Sequence, residues 1–335
     1  MNRWVQKHKI LTACTLCASL FQMKISSAPL DNKPHAWTSA AFSKEDLPCV
    51  RSEVERTFNL LSRRTPDNAY MLMSASFLAY SFWPGKREKI SSRWGFKEIH
   101  IFNIPETSTN GFWAEHEEFI LLAIRGTQEP LDLLTDVDVQ LEQADNSSGS
   151  QGRVHRGFNS AAHTLFPHAQ KAALTAKAKN KALIVTGHSL GGAIALLTAL
   201  RLEKLNFPVH SIWSFGAPQV GDERFVENAK NQLQSRLQIV NQENDPIPAL
   251  PFTASDEQLT QNLARRFGSI IPLFSKFALN SAYATSEFEQ GSELSSAKQI
   301  NRPISQRSIK EIARGFLKHI PRAYLCDLSH ELLKL

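Results

Sequence analysis

Long hydrophobic runs are scarce in this sequence of 335 residues. The apolar run at residues 10–21 is shorter than the stretch of about 20 residues that a membrane-spanning helix needs. A second apolar run, at 267–279, is interrupted by Pro272 and Lys276, which also argues against a span. The chain lacks internal repeats and low-complexity tracts. Its length and its 42% hydrophobic residues suit one α/β domain with additions.

Metal-binding patterns are also missing. Only four cysteines are present, and no cysteine–histidine group has zinc-type spacing. Three acidic residues, Asp132, Asp136 and Asp138, lie close together but lack the spacing and the glycine of a calcium loop. We therefore expect no metal and no cofactor.

Acidic residues are absent before Asp31, whereas basic residues precede the apolar run at 10–21. This pattern is typical of a secretory signal peptide, so we expect residues 1–28 to be removed, at a cut site that the sequence leaves open. Residues 1–28 contain four basic residues, so their removal lowers the formal net charge from +6 to +2. So small a positive charge gives no reason to expect a nucleic-acid partner. The prediction is an exported protein, periplasmic or extracellular, with its mature domain at 29–335.

Two cysteines, Cys49 and Cys326, remain in the mature chain, one near each end. In an exported protein such a pair suggests a disulfide bond. The alternative is two buried free thiols, since cysteine is often a core residue.

One stretch has the pattern of a nucleophile elbow. A short β-branched run at 182–186 is followed by Gly187-His188-Ser189-Leu190-Gly191 and then by a segment rich in alanine and leucine. A strand, a sharp turn and a helix with serine at the turn predict that Ser189 is an exposed nucleophile. We expect the neighbouring His188 to point away from the serine hydroxyl, so it is not the predicted base.

Strand-like and helix-like segments alternate on both sides of this turn. Strands are expected at 98–104, 111–114, 118–124, 209–215 and 237–240, with helices between them. The alternation predicts a mostly parallel sheet with helices on both faces. The segment at about 252–320 is an insert that could form a lid, a lipid-facing surface or a helix packed on the core. Within it, 306–320 predicts a basic amphipathic helix that could lie on a membrane or on the core.

A serine nucleophile needs a base and an acid that holds the base. The expected order along the chain is serine, acid, histidine. Asp245 fits the acid because prolines fix its loop, whereas Asp222 is explained as a helix cap. Only His319 and His330 follow Asp245, and His330 is the predicted base because the end of a helix explains His319.

The oxyanion hole requires two donors. One is the amide of Leu190, directly after the nucleophile. The other is expected from Arg125-Gly126-Thr127, which follows an early strand and offers the amide and hydroxyl of Thr127.

Six motifs in order resemble the class three (fungal-type) lipase family of the α/β-hydrolase superfamily: LAIRGT at 122–127, LLTD at 133–136, VHRGF at 154–158, GHSLGG at 187–192, FGAPQVG at 215–221 and NDPIP at 244–248. The resemblance implies an α/β-hydrolase fold. It also implies Ser189 as nucleophile, Asp245 as acid, and Thr127 with Leu190 as the oxyanion hole. The C-terminal end departs from the family pattern, because Ser329 precedes His330 and no aromatic residue follows it.

The resemblance implies an enzyme that hydrolyses acyl lipids, as a triacylglycerol lipase or a phospholipase of the A1 type. We expect an acyl-lipid substrate, which could lie at a membrane or lipid-droplet interface, and no protein partner. Two alternatives stay open: an esterase for soluble acyl esters, and a non-catalytic lipid-binding protein on a hydrolase scaffold.

Overall fold

The computed structural model describes residues 58–60, 65–80, 94–127, 140–144, 151–242, 245–250, 315 and 318–331. The expected signal peptide, Cys49, the acidic group at 132–138 and most of the insert and its amphipathic helix lie outside these residues.

Eight strands are present in the described residues: β1 Glu98–Ile104, β2 Thr109–Glu115, β3 Phe119–Ile124, β4 Leu141–Gln143, β5 Arg153–His155, β6 Ala182–His188, β7 Ser211–Phe215 and β8 Leu237–Val240. Six of them form one sheet in the order β1-β2-β3-β6-β7-β8, and β4 pairs with β5. The pairs β1–β2 and β2–β3 are antiparallel, whereas β3, β6, β7 and β8 run parallel.

Five α-helices accompany these strands: α1 Pro66–Leu78, α2 Arg156–Ala178, α3 Leu190–Lys204, α4 Glu223–Leu233 and α5 Pro321–Glu331. Apolar residues of α2, α3 and α4 share one core layer with one face of the sheet. Residues of α1 and α5 share a second core layer with the opposite face. The expected α/β-hydrolase architecture, a mostly parallel sheet between two helical layers, is confirmed.

Strand β3 shows why the sheet lies at the centre. All six of its residues are buried, as expected for a strand covered on both faces. Its side chains alternate between the layers: Ile120, Leu122 and Ile124 join the layer of α2 to α4, and Leu121 and Ala123 join that of α1 and α5.

The expected strands at 98–104 and 237–240 agree with β1 and β8, and the other strand boundaries differ by a few residues. Helix α1 begins at Pro66, because Thr65 is its N-cap and accepts a hydrogen bond from the Asn68 amide at 3.1 Å. Asp222 caps α4, as expected, by accepting from the Phe225 amide at 3.0 Å.

Cys326, on α5, forms a disulfide bond. The bond itself agrees with the sequence prediction, and the expected partner Cys49 lies outside the described residues. Among the helices described, none combines the length and apolarity that a membrane crossing requires.

Candidate active site

Loops at the carboxyl ends of the parallel strands carry the predicted site. Arg125-Gly126-Thr127 follows β3, Ser189 follows β6, and Asp245 lies beyond the end of β8. Because these strands are neighbours, their carboxyl ends meet at one edge of the sheet. The topology therefore brings residues far apart in sequence to the same place, as in other open α/β sheets.

Ser189 has the strained backbone expected of a nucleophile elbow. Its φ of 59° and ψ of −133° lie outside the regions that residues with a side chain normally adopt. Its amide donates to the Phe215 carbonyl at 2.8 Å, which ties the turn to β7. A Cβ at Gly191 would lie 2.3 Å from the Ile124 carbonyl oxygen, so glycine is required for this close approach.

The segment after β3 lies directly against the elbow. A Cβ at Gly126 would lie 2.5 Å from the His188 carbonyl oxygen and 2.8 Å from the Ser189 Cβ. Thr127 is the next residue along the chain. Leu190 begins α3, so its amide belongs to the helix N-terminus, where backbone N–H groups lack helical partners and favour negative charge.

Asp245 is fully buried, and both of its carboxylate oxygens accept hydrogen bonds. The Ile247 amide donates to Oδ1 at 2.9 Å. His319 Nδ1 lies 2.7 Å from Oδ2, and the Tyr324 hydroxyl donates to the same oxygen at 2.6 Å. Since a carboxylate only accepts, Nδ1 of His319 carries the proton and Nε2 keeps the free lone pair of a base.

The predicted partner of Asp245, His330, is thus not the histidine found against the carboxylate. His319 occupies that place and is itself fully buried. Its amide bonds to the Gly315 carbonyl at 3.2 Å, so it does lie at the end of a helical turn, as expected. His330 lies near the C-terminal end of α5, and its side chain is outside the described residues. The geometry favours His319 over His330 as the base.

The polar atoms at this site that are buried without a hydrogen-bond partner include Ser189 Oγ, His319 Nε2, Thr127 Oγ1 and His188 Nε2. An unpaired buried polar group is costly, so such groups in native proteins point to function. Ser189 and His319 do not bond to each other here, which is common because catalytic hydrogen bonds often tighten only when substrate binds.

Tyr324 is a site residue that the sequence prediction missed. Its hydroxyl donates to Asp245 and accepts from the Gln242 amide at 3.1 Å. Burial, reinforced by the Asp245 charge, raises the pKa of Tyr324 well above its ordinary value. The sequence signal is an aromatic residue after the histidine, which is present after His319, at Tyr324, and absent after His330.

The site is built from serine, histidine, aspartate and backbone groups. Within the part of the chain that the structure describes, no group of three or more histidine, cysteine, aspartate or glutamate side chains could hold a metal ion.

Comparison with known proteins gives a family match at this site. The family model Lipase (class 3) matches residues 121–255, which include β3, the elbow and Asp245. A secreted mono- and diacylglycerol lipase 1 of Fusarium solani is 31% identical over 134 residues, covering 39% of this chain and 39% of that protein.

Two further relatives match to a similar extent. A lipase of Rhizopus niveus is 34% identical over 140 residues, covering 39% of this chain and 35% of its own length. Phospholipase A1-II 4 of Oryza sativa subsp. japonica is 29% identical over 157 residues, covering 39% of this chain and 40% of its own length. The chain spans about two fifths of the length of the curated relatives it matches. Over this segment, the predicted resemblance to the class 3 (fungal-type) lipases is confirmed.

Proposed function

We propose that this protein is a serine hydrolase that cleaves the carboxyl esters of acyl lipids through an acyl-enzyme. The observation that carries the proposal is the Asp245–His319 pair at the sheet edge where Ser189 stands on a strained elbow. The family match and the names of the relatives, which include lipases and a phospholipase A1, support an acyl-lipid substrate.

In the first half of the reaction, Ser189 Oγ attacks the ester carbonyl carbon while its proton passes to His319 Nε2. Asp245 stabilises the resulting imidazolium through the 2.7 Å contact with Nδ1. The carbonyl oxygen becomes an oxyanion, which accepts hydrogen bonds from the Leu190 amide and from Thr127.

The tetrahedral intermediate then collapses. The bond to the alcohol breaks, and His319 returns the proton to the leaving oxygen, which frees the alcohol and leaves Ser189 acylated. Water, with His319 again as base, attacks the acyl-enzyme and releases the fatty acid.

We propose export of the protein on the basis of residues 1–28 and of a relative whose name includes the word secreted. Sequencing the N-terminus of the protein recovered outside the cytoplasm tests this proposal. An intact N-terminus beginning at Met1 would contradict removal of a signal peptide.

Two alternatives are distinguished by one experiment. Purified wild-type protein and Ser189→Ala are assayed on emulsified diacylglycerol, on phosphatidylcholine vesicles and on a soluble short-chain aryl ester. We expect wild-type turnover of at least one lipid and none by Ser189→Ala. Turnover of the soluble ester alone would indicate an esterase, and no turnover of any substrate would favour a lipid-binding protein.

A further inference from the structure

A second histidine is buried beside the proposed base. His188, the residue before the nucleophile, is 1% exposed, and its ring centroid lies 4.7 Å from that of His319, at an interplanar angle of 32°. The Tyr324 ring packs edge-on against the His188 imidazole, with ring centroids 5.3 Å apart. His188 therefore contacts both the base and the tyrosine that holds Asp245.

The other side of His188 is held by Tyr80, which lies two residues beyond the end of α1. The Tyr80 hydroxyl lies 3.0 Å from His188 Nδ1. The same hydroxyl lies close to the proposed oxyanion segment, since a Cβ on Gly126 would be 2.4 Å from it. Tyr80 thus fixes the rotation of the imidazole and touches the backbone next to Thr127.

We propose that His188 is a positioning residue for the proposed reaction: held by Tyr80, its ring supports the His319 ring in the orientation that directs Nε2 at Ser189. This inference rests on the proposed triad. Rotating the His319 ring away from Asp245 would require space that the His188 and Tyr324 rings occupy. The contact with Tyr80 uses Nδ1 of His188, and the proposal assigns His188 a role in orienting the base rather than in proton transfer.

The charge state of His188 is compatible with this role. Burial, and next the proximity of His319, lower the pKa of His188 well below its ordinary value. The groups that face it are Tyr80, His319 and Tyr324, and burial likewise raises the pKa of both tyrosines, which keeps them neutral. A neutral His188 does not repel the imidazolium that forms on His319 during the reaction.

The chain offers a matched pair of substitutions at this position. The amide nitrogen of asparagine reaches about as far as imidazole Nδ1, whereas that of glutamine reaches about as far as Nε2. His188→Asn therefore keeps a partner for Tyr80, and His188→Gln and His188→Leu do not. His155→Asn is the control, because His155 is equally buried but uses its Nδ1 to accept from the Phe158 amide at 3.3 Å.

The experiment measures kcat and KM on a soluble aryl ester from pH 5 to 9. Each kcat is calculated from the concentration of protein whose serine a fluorophosphonate probe labels, so that unfolded protein is not counted. A displacement of the base by 1 Å can cost about 100-fold in rate, so we expect His188→Leu to lose about 10- to 100-fold in kcat with KM unchanged. We expect His188→Asn and His188→Gln to resemble His188→Leu, because all three remove the ring that contacts His319. We expect His155→Asn to stay within about threefold of wild type.

Tyr80→Phe provides a second route that leaves the imidazole in place. We expect a loss in kcat with no further loss when it is combined with His188→Leu, because the two act as one unit. We also expect the acid limb of the wild-type kcat/KM profile to fall with a slope of one, since the lowered pKa of His188 keeps that residue neutral there.

A wild-type kcat per labelled serine in His188→Leu and Tyr80→Phe would overturn the inference. So would a kcat near that of wild type in His188→Asn, which keeps a partner for Tyr80 but lacks the ring, or an acid limb with a slope of two. These outcomes differ from failure of the proposed function, in which the wild-type protein itself would neither label at Ser189 nor turn over an ester.

Discussion

Tyr324→Phe removes one hydroxyl from the acid of the proposed triad and changes nothing else in shape. The hydroxyl donates to Asp245 Oδ2 at 2.6 Å and accepts from the Gln242 amide at 3.1 Å, and the tyrosine is buried. A hydrogen bond to a charged group contributes about 1.5–3 kcal/mol, and a buried N–H left unpaired costs about 1–3 kcal/mol. We expect the free energy of unfolding to fall by about 3 kcal/mol.

The same change loosens the acid that holds His319. Asp245 keeps the Ile247 amide and His319 as partners, so the orientation of the base is weakened rather than lost. We expect kcat to fall about tenfold, which corresponds to about 1.4 kcal/mol in the transition state. KM should be unchanged, because Tyr324 is not proposed to contact substrate.

The pH dependence of the stability loss follows from the raised pKa of Tyr324. The native state favours the neutral Tyr324 hydroxyl. The contribution of this hydroxyl to the free energy of unfolding is therefore fully present below the ordinary tyrosine pKa of about 10, and it is lost as the pH rises beyond that value. The difference in unfolding free energy between wild type and Tyr324→Phe should therefore be constant from pH 6 to 9 and shrink above pH 10.

Urea denaturation and steady-state kinetics measure these effects. Tyr70→Phe is the control, because it also removes the hydroxyl of a fully buried tyrosine but on α1 rather than on α5, which carries Tyr324. We expect it to leave kcat unchanged. Wild-type stability and kcat in Tyr324→Phe would refute the claim that this hydroxyl holds Asp245.

Three further predictions concern the base, the oxyanion hole and the disulfide. In ester-hydrolysis assays, His319→Ala should lower kcat about a thousandfold or more, whereas His330→Ala should stay within a few-fold of wild type. The reverse order would show that His330 is the base. If the Thr127 hydroxyl donates to the oxyanion, Thr127→Val should lower kcat about 100-fold and Thr127→Ser only slightly. Equal kcat values in Thr127→Val and wild type would show that only the Thr127 amide can serve as the donor. Non-reducing peptide mapping should recover a fragment joining Cys49 to Cys326, and reduction should lower the unfolding free energy by about 4 kcal/mol; a fragment joining Cys326 to another cysteine would contradict the pairing.

The fold and the strained turn that carries the proposed nucleophile were predictable because their determinants are local. The β-branched run of β6, the glycines of the turn and the alanine-rich α3 are contiguous in sequence, and each has a strong preference for its structure. The proposed acid, Asp245, could also be predicted from the sequence, since prolines fix its loop just after a recognisable strand.

The histidine that contacts Asp245 was not predictable to the same degree, because this contact depends on long-range packing. His319 and His330 both follow Asp245, and the segment that separates them from it gives no local pattern for the path of the chain. The role of His188 was missed for the same reason. Its contacts with Tyr80 and His319 join residues 108 and 131 positions away, which no local pattern can reveal.

Labelling with a fluorophosphonate probe, followed by mass spectrometry of the modified peptide, tests the central claim most directly. The account predicts that the probe modifies Ser189 in wild-type protein, that Ser189→Ala takes up none, and that labelling is slowed strongly in His319→Ala but not in His330→Ala. Labelling of Ser189→Ala at the wild-type rate, or rapid ester hydrolysis by a protein whose Ser189 stays unmodified, would contradict it.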